Sequence, residues 1–284
     1  MQWAESFGTW QEWSSGCSVC QGQRFLGSAD PLQIGMPFRE ASSDACPCWF
    51  LYMAMQRLWS KEFPKAYLLW NWDSTFPLKT PLAADHAWYV KHPESFAWRF
   101  SEPDEEAIRF WVNTPEVVVN KGLSLVIHGD KGVGKSSLAT VLSKELVKRR
   151  GVDASGYISD FTVRFLVGDE LYQYLGMRSR EGHAVLDEAF KSSLLVIDDL
   201  RLAYTGFVNT ELVERVHSIL QSRAGNNLPT IITMNKLSKS ADFKPNSVTE
   251  FLGIDADHVP DKFGKYRFVQ VINDPMRPAP DWTL

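Results

Sequence analysis

From about residue 101 onward, short apolar runs alternate with longer stretches in which apolar residues recur at helical spacing. Residues 123–128 form a β-rich run, a glycine-rich turn follows, and residues 135–150 carry a helical pattern. Residues 162–167 are the next strand candidate and 169–175 a short helix. Residues 194–197 are consecutively apolar, which suits a strand buried on both faces of a parallel sheet. A helix near 209–223, a strand at 230–234 and a last strand at 266–272 complete the series. Strands alternating with helices predict an α/β fold built on a parallel sheet. Across 64–100, Pro64, Pro77, Pro81 and Pro93 interrupt every pattern, and no element is assigned there.

A helix start stands at Ser101-Glu102-Pro103-Asp104-Glu105-Glu106. Ser101 is the expected N-cap, proline sits in the first turn, and carboxylates lie near the positive end of the helix dipole. Ala107, Phe110, Trp111 and Val118 continue a helical face. Composition changes at the same place. Nine of the 11 tryptophans lie between Trp3 and Trp98, and all 4 cysteines fall in the same part. Residues 1–111 hold 9 basic and 13 acidic side chains, leaving 21 of each for the remainder. With 284 residues the chain has room for two domains. The predicted division is 1–100, a small Trp-rich domain, and 101–284, the α/β domain.

A net charge of −4 excludes a generally basic nucleic-acid coat, while leaving room for a local basic patch. The shares of 44% hydrophobic and 23% charged residues are those of a soluble globular protein. The longest apolar run, residues 48–55, is far shorter than the roughly 18 residues a membrane span requires. No membrane partner is expected. The stretch Met1-Gln2-Trp3-Ala4-Glu5 has neither the basic nor the apolar region of a secretory signal, so a cytoplasmic location is expected.

The chemistry concentrates at Gly129-Asp130-Lys131-Gly132-Val133-Gly134-Lys135-Ser136, which fits the pattern G-x-x-x-x-G-K-[ST]. A strand ending at His128 delivers the loop, and the glycines let backbone N–H groups curl around a phosphate. The next helix then points its N-terminus at the anion. Lys135 is expected to reach the β- and γ-phosphates of ATP, and Ser136 to ligate Mg²⁺. Ser137 completes the loop's nucleotide-binding set. A partner strand ending in acid appears as Leu194-Leu195-Val196-Ile197-Asp198-Asp199. Asp198 is expected to hold Mg²⁺, and Asp199 to orient or deprotonate the water that attacks the γ-phosphate. A third strand, Thr230-Ile231-Ile232-Thr233-Met234-Asn235, ends in an amide able to hydrogen-bond that phosphate or that water; asparagine after a strand is also a common turn residue.

The ordered set GDKGVGKSSLA (129–139), LLVIDDL (194–200) and PTIITMNKLS (229–238) resembles the AAA+ ATPases of the DnaC/DnaI/IstB group, helicase loaders and their transposition relatives. The resemblance covers about residues 105–284. It implies a five-stranded AAA+ P-loop core, a sensor role for Asn235, and ATP bound between subunits of a self-associated ring or spiral. The cysteines fit the same group. Cys17-x-x-Cys20, then 25 residues, then Cys46-x-Cys48 looks like the zinc module that precedes the ATPase in several loaders. Four thiolates on two short knuckles can close a tetrahedral structural Zn²⁺ site, and a reducing cytoplasm disfavours disulfides. Four ordinary buried thiols are the alternative. The tryptophans around them suit core packing better than a base-stacking platform.

The chain also departs from the group's pattern. Asp198-Asp199 stands where many members have Asp-Glu, and the shorter second carboxylate implies slow hydrolysis. The stretch matching the group's trans-acting arginine is Val259-Pro260-Asp261-Lys262-Phe263, so Lys262 acts as a point charge, or Arg267 takes the role, or trans activation is weakened. Arg277 matches the terminal arginine that senses the γ-phosphate; a solvated arginine is the equal alternative. The group's DNA-facing helical element corresponds to residues 169–175, with Tyr172 and Tyr174, followed by Met177-Arg178-Ser179-Arg180. These side chains can stack bases and neutralise phosphates, although such clusters are more often a solvated helix face.

The function expected is that of a replicative helicase loader that binds single-stranded DNA and a hexameric helicase. Two rivals stand beside it. One is a transposition ATPase of the IstB/TnsC kind that selects target DNA. The other is a slowly hydrolysing nucleotide switch that binds a protein partner.

Overall fold

The computed structural model describes residues 54, 56–59, 61, 63–68, 70–72, 79–81, 98, 100–150, 160–177, 179–201, 210–235 and 266–272. In chain order its elements are α1 (Lys65–Leu68), β1 (Trp70–Trp72), β2 (Lys79–Pro81), α2 (Glu102–Asn113), α3 (Pro115–Lys121), β3 (Ser124–Gly129) and α4 (Lys135–Arg150). There follow β4 (Val163–Val167), α5 (Gly168–Gly176), α6 (Arg180–Lys191), β5 (Leu194–Asp198), α7 (Thr210–Gly225), β6 (Thr230–Asn235) and β7 (Tyr266–Val271). The four cysteines, Arg178, Lys262 and Arg277 lie outside the described residues.

β1 and β2 pair antiparallel. The other 5 strands form one parallel sheet in the order β4-β5-β6-β3-β7, as the alternating pattern predicts. Alternate residues of each strand feed opposite faces. Leu125, Ile127, Phe165, Leu194, Val196 and Ile231 enter one core. Val126, Leu166, Leu195, Ile197, Ile232 and Met234 enter the other, beneath residues of α5, α6 and α7. Because the strands are parallel, the ends of β3, β5 and β6 lie on one edge of the sheet. Gly129 pairs with Asn235 there, and Val167 with Asp198.

The helical face expected from residue 101 divides in two. Pro115 opens α3 after a break at Thr114, because proline has no N–H to continue α2. The buried stripe of α2 is Ile108, Trp111 and Val112, and Phe110 points outward, 50% exposed. Helix α6 has no counterpart in the expectations above. Its N-cap is Ser179, whose Oγ accepts the Gly182 N–H at 3.2 Å. The pattern of Val185, Leu186, Ala189 and Phe190 is the signal that could have revealed it.

Helix α4 is buried on nearly every side: Ser137, Thr140, Ser143, Lys144 and Glu145 are as enclosed as its leucines. The reason is that Ala54, Leu58, Phe63, Leu68 and Trp98 share one core with α4 and the sheet. The Lys144 ammonium, fully buried, donates to the Leu68 carbonyl at 2.9 Å. Burial pushes it down to about 7, with Lys148 adding to the effect and Glu145 opposing it. Among the described residues, no helix is long and apolar enough to cross a membrane.

Candidate nucleotide site

The loop between β3 and α4 turns through left-handed backbone at Gly132 (φ 84°) and Gly134 (φ 87°), conformations that side chains resist. Trp98 supports the turn from below. Its indole N–H donates to the Gly134 carbonyl at 3.0 Å, and its ring is fully buried. The Ser137 hydroxyl donates to the same carbonyl at 2.8 Å. Asp130 and Lys131 are exposed at the loop tip, and Val133 is half-buried.

Lys135 is buried at the start of α4. Its ammonium donates to the Gly129 carbonyl (3.2 Å), the Asp130 carbonyl (2.6 Å) and Asn235 Oδ1 (3.0 Å). Burial lowers its proton affinity, and Asp199, Asp198 and Asp130 counter that by their charge. Asp198, at the end of β5, is also buried and is shifted the other way: desolvation raises it, against hydrogen bonds from Thr233 and Ser136. The Thr233 hydroxyl donates to Asp198 Oδ1 at 2.5 Å. The Ser136 hydroxyl, which also hydrogen-bonds Asp198, and that carboxylate form an oxygen-donor pair of the kind Mg²⁺ prefers, so these two residues fit the metal expected of them.

Asp199 occupies left-handed backbone, φ 53°, a strained position for a residue with a side chain. Its N–H donates to Thr233 Oγ1 at 2.8 Å, and the Leu200 N–H to the Thr233 carbonyl at 2.8 Å. Asn235 Nδ2 donates to Asp199 Oδ1 at 3.2 Å. Asn235 therefore bridges the loop lysine and the second acid, a role open to it because β6 lies between β3 and β5. The arrangement can hold a polyphosphate with its cation and place a carboxylate and an amide on its far side.

The structure thus brings together the loop 129–137, Asp198, Asp199 and Asn235. Arg267, on β7, pairs with Leu125 of β3, about 13 Å of strand from the level of Gly129. It donates to the Pro103 carbonyl at 3.4 Å. Sequence reasoning missed Thr233 and Trp98. Thr233 was within reach of it, since it stands two residues before Asn235 and so shares its side of the strand.

Residues 116–252 match the family model described as AAA ATPase domain (AAA_16). The chain carries an AAA ATPase domain over those residues. No curated protein matches the chain significantly in sequence. Among solved structures, the chain is similar to AMPPCP-bound DnaA from Aquifex aeolicus at 16% identity and a TM-score of 0.44, over 62% of this chain and 49% of that one. It is similar to the DnaC helicase loader at 22% identity and TM-score 0.40, over 61% of this chain and 93% of that one. For DnaI the values are 27% and 0.38, over 49% and 68%. The chain spans about half the length of the DnaA chain it matches.

Proposed function

We propose that this ATPase acts in DNA replication in the cytoplasm, loading a hexameric helicase onto single-stranded DNA as a self-associated ring or spiral. The observation that carries the reading is the crossover from β4 to β5. One helix suffices to return a chain to a parallel neighbour, and here two follow in succession, α5 and α6. In the loader group that the motifs resemble, the DNA-facing element follows the second strand, and in this reading residues 169–175 and Arg180 serve as that element. The phenol of Tyr172 donates to the Arg201 carbonyl at 2.6 Å, and both tyrosines of α5 pack partly into the core. Exposed Arg180 is then the better phosphate contact than either tyrosine is a stacking platform.

In this reading Lys135 exchanges its carbonyl partners for β- and γ-phosphate oxygens. Ser136 and Asp198 would hold Mg²⁺, which would supply positive charge to the phosphates. Asp199 orients the attacking water and takes its proton, and Asn235 keeps the carboxylate aligned with the phosphate. Arg277 senses the γ-phosphate, and Lys262 or Arg267 reaches a neighbouring subunit's nucleotide.

The test uses the full chain. Anisotropy of a labelled oligonucleotide is expected to show binding with ATP and at least tenfold weaker binding without it. Affinity should fall steeply as salt rises, because phosphate contacts release counterions. Helicase should co-purify with the chain. Filaments on duplex DNA together with capture of a transposase would replace the loader by its transposition rival. Tight ATP binding with no response to DNA would favour the switch.

The same reading assigns Zn²⁺ to Cys17, Cys20, Cys46 and Cys48. Support comes from the donor set, since two tight thiolate pairs suit a closed tetrahedral site. Elemental analysis is expected to find about one zinc per chain, with Cys46→Ser losing it. Metal-replete protein without zinc ends the assignment.

A further inference from the structure

Arg201 follows the acid strand and belongs to none of the motifs. Its Nε and Nη2 both donate to Asp199 Oδ2, at 3.0 and 2.6 Å. Asn235 engages Oδ1. A carboxylate has about four lone-pair directions, and three of them are therefore in use on the group expected to receive a proton from water. The surroundings leave little other freedom. The backbone N–H groups of Asp199 and Leu200 are both bound to Thr233. On the other side, α5 is seated directly on the turn: a Cβ at Gly168 would come within 2.7 Å of the Asp199 carbonyl oxygen and 2.9 Å of Leu200 Cα. The Tyr172 hydroxyl fixes the Arg201 carbonyl at 2.6 Å. With the backbone clamped, the mobile part of the turn is the guanidinium itself, about half exposed to solvent.

We propose that Arg201 is a positioning residue that restrains Asp199 and sets a low basal rate of ATP hydrolysis, with Tyr172 of α5 aiming it. Asp199 becomes fully available to water only when the ion pair loosens. The pair is solvent-accessible, with the Arg201 and Asp199 side chains 49% and 31% exposed, so it is a weak restraint that salt can open. The inference rests on Asp199 being the carboxylate that acts on the water.

The experiment is steady-state ATP turnover by the full chain, without DNA. Arg201→Ala is expected to raise kcat about two- to fivefold, the span typical of an exposed ion pair, with KM for ATP unchanged. Arg201→Lys, which keeps the charge but loses the planar fork, should fall between wild type and alanine. Tyr172→Phe should raise kcat by less than Arg201→Ala does. Added salt should speed the wild type more than Arg201→Ala. An unchanged or lower kcat for Arg201→Ala overturns the restraint, and a KM rising in its place would put Arg201 on the nucleotide. The double variant Arg201→Ala/Asp199→Asn separates the two readings. If it hydrolyses ATP, the assignment of Asp199 has failed; if it is inactive while Arg201→Ala is fast, the gain runs through Asp199.

Discussion

Lys135→Ala is expected to weaken ATP binding by about 10- to 150-fold, whereas Asp199→Asn leaves binding within about twofold and lowers kcat by about 10² to 10⁴. The difference follows from where each group acts. The Lys135 ammonium sits among the loop carbonyls of Gly129 and Asp130, where bound phosphates would lie, so its charge counts in the ground state. The Asp199 carboxylate lies beyond Asn235, and its acceptor strength matters only as the water loses its proton. The asparagine variant keeps the shape and can still take part in hydrogen bonding, so the fold is not at stake. Calorimetric titration with a non-hydrolysable ATP analogue, alongside turnover, separates the two. Equal loss of binding in both variants would remove the division of roles, and full turnover by Asp199→Asn would move the base elsewhere.

Arg223→Ala is expected to cost about 3–5 kcal/mol of stability. Arg223 is fully buried, and among the described residues no carboxylate accepts a hydrogen bond from it. Its guanidinium donates instead to the carbonyls of Ala189 (2.9 Å), Phe190 (3.4 Å) and Ser192 (2.8 Å), where α6 ends. It also donates to the Pro229 carbonyl (2.7 Å) and to Thr230 Oγ1 (2.9 Å), where β6 begins. Helix C-terminal carbonyls have no intrahelical donors and carry partial negative charge, so one buried cation answers several of them. Burial lowers its pKa to about 10, which leaves it charged at neutral pH. Alanine removes the donors and strands carbonyls at roughly 1–3 kcal/mol each, less whatever water can enter. Urea unfolding measures the difference. A loss under about 1 kcal/mol would mean that the carbonyls find other donors.

The sequence by itself determined the sheet and the chemistry, because both are local. Consecutive apolar residues at 194–197 cannot remain in water and suit a strand covered on both faces. The spacing of Gly129, Gly134 and Lys135 encodes a backbone curl whose geometry depends on little beyond the adjoining strand and helix. Tertiary structure alone decided the rest. Nothing in the polar face of α4 signals that Lys144 is enclosed, since its cover comes from Leu68, far away in the chain. Nothing near Gly134 signals that Trp98 holds its carbonyl. Arg201 reads as an ordinary surface arginine until the left-handed turn at Asp199 brings the two side chains together. Local patterns follow from the period of one helix or strand, whereas burial and ion pairing depend on which distant segment arrives to cover or face the residue.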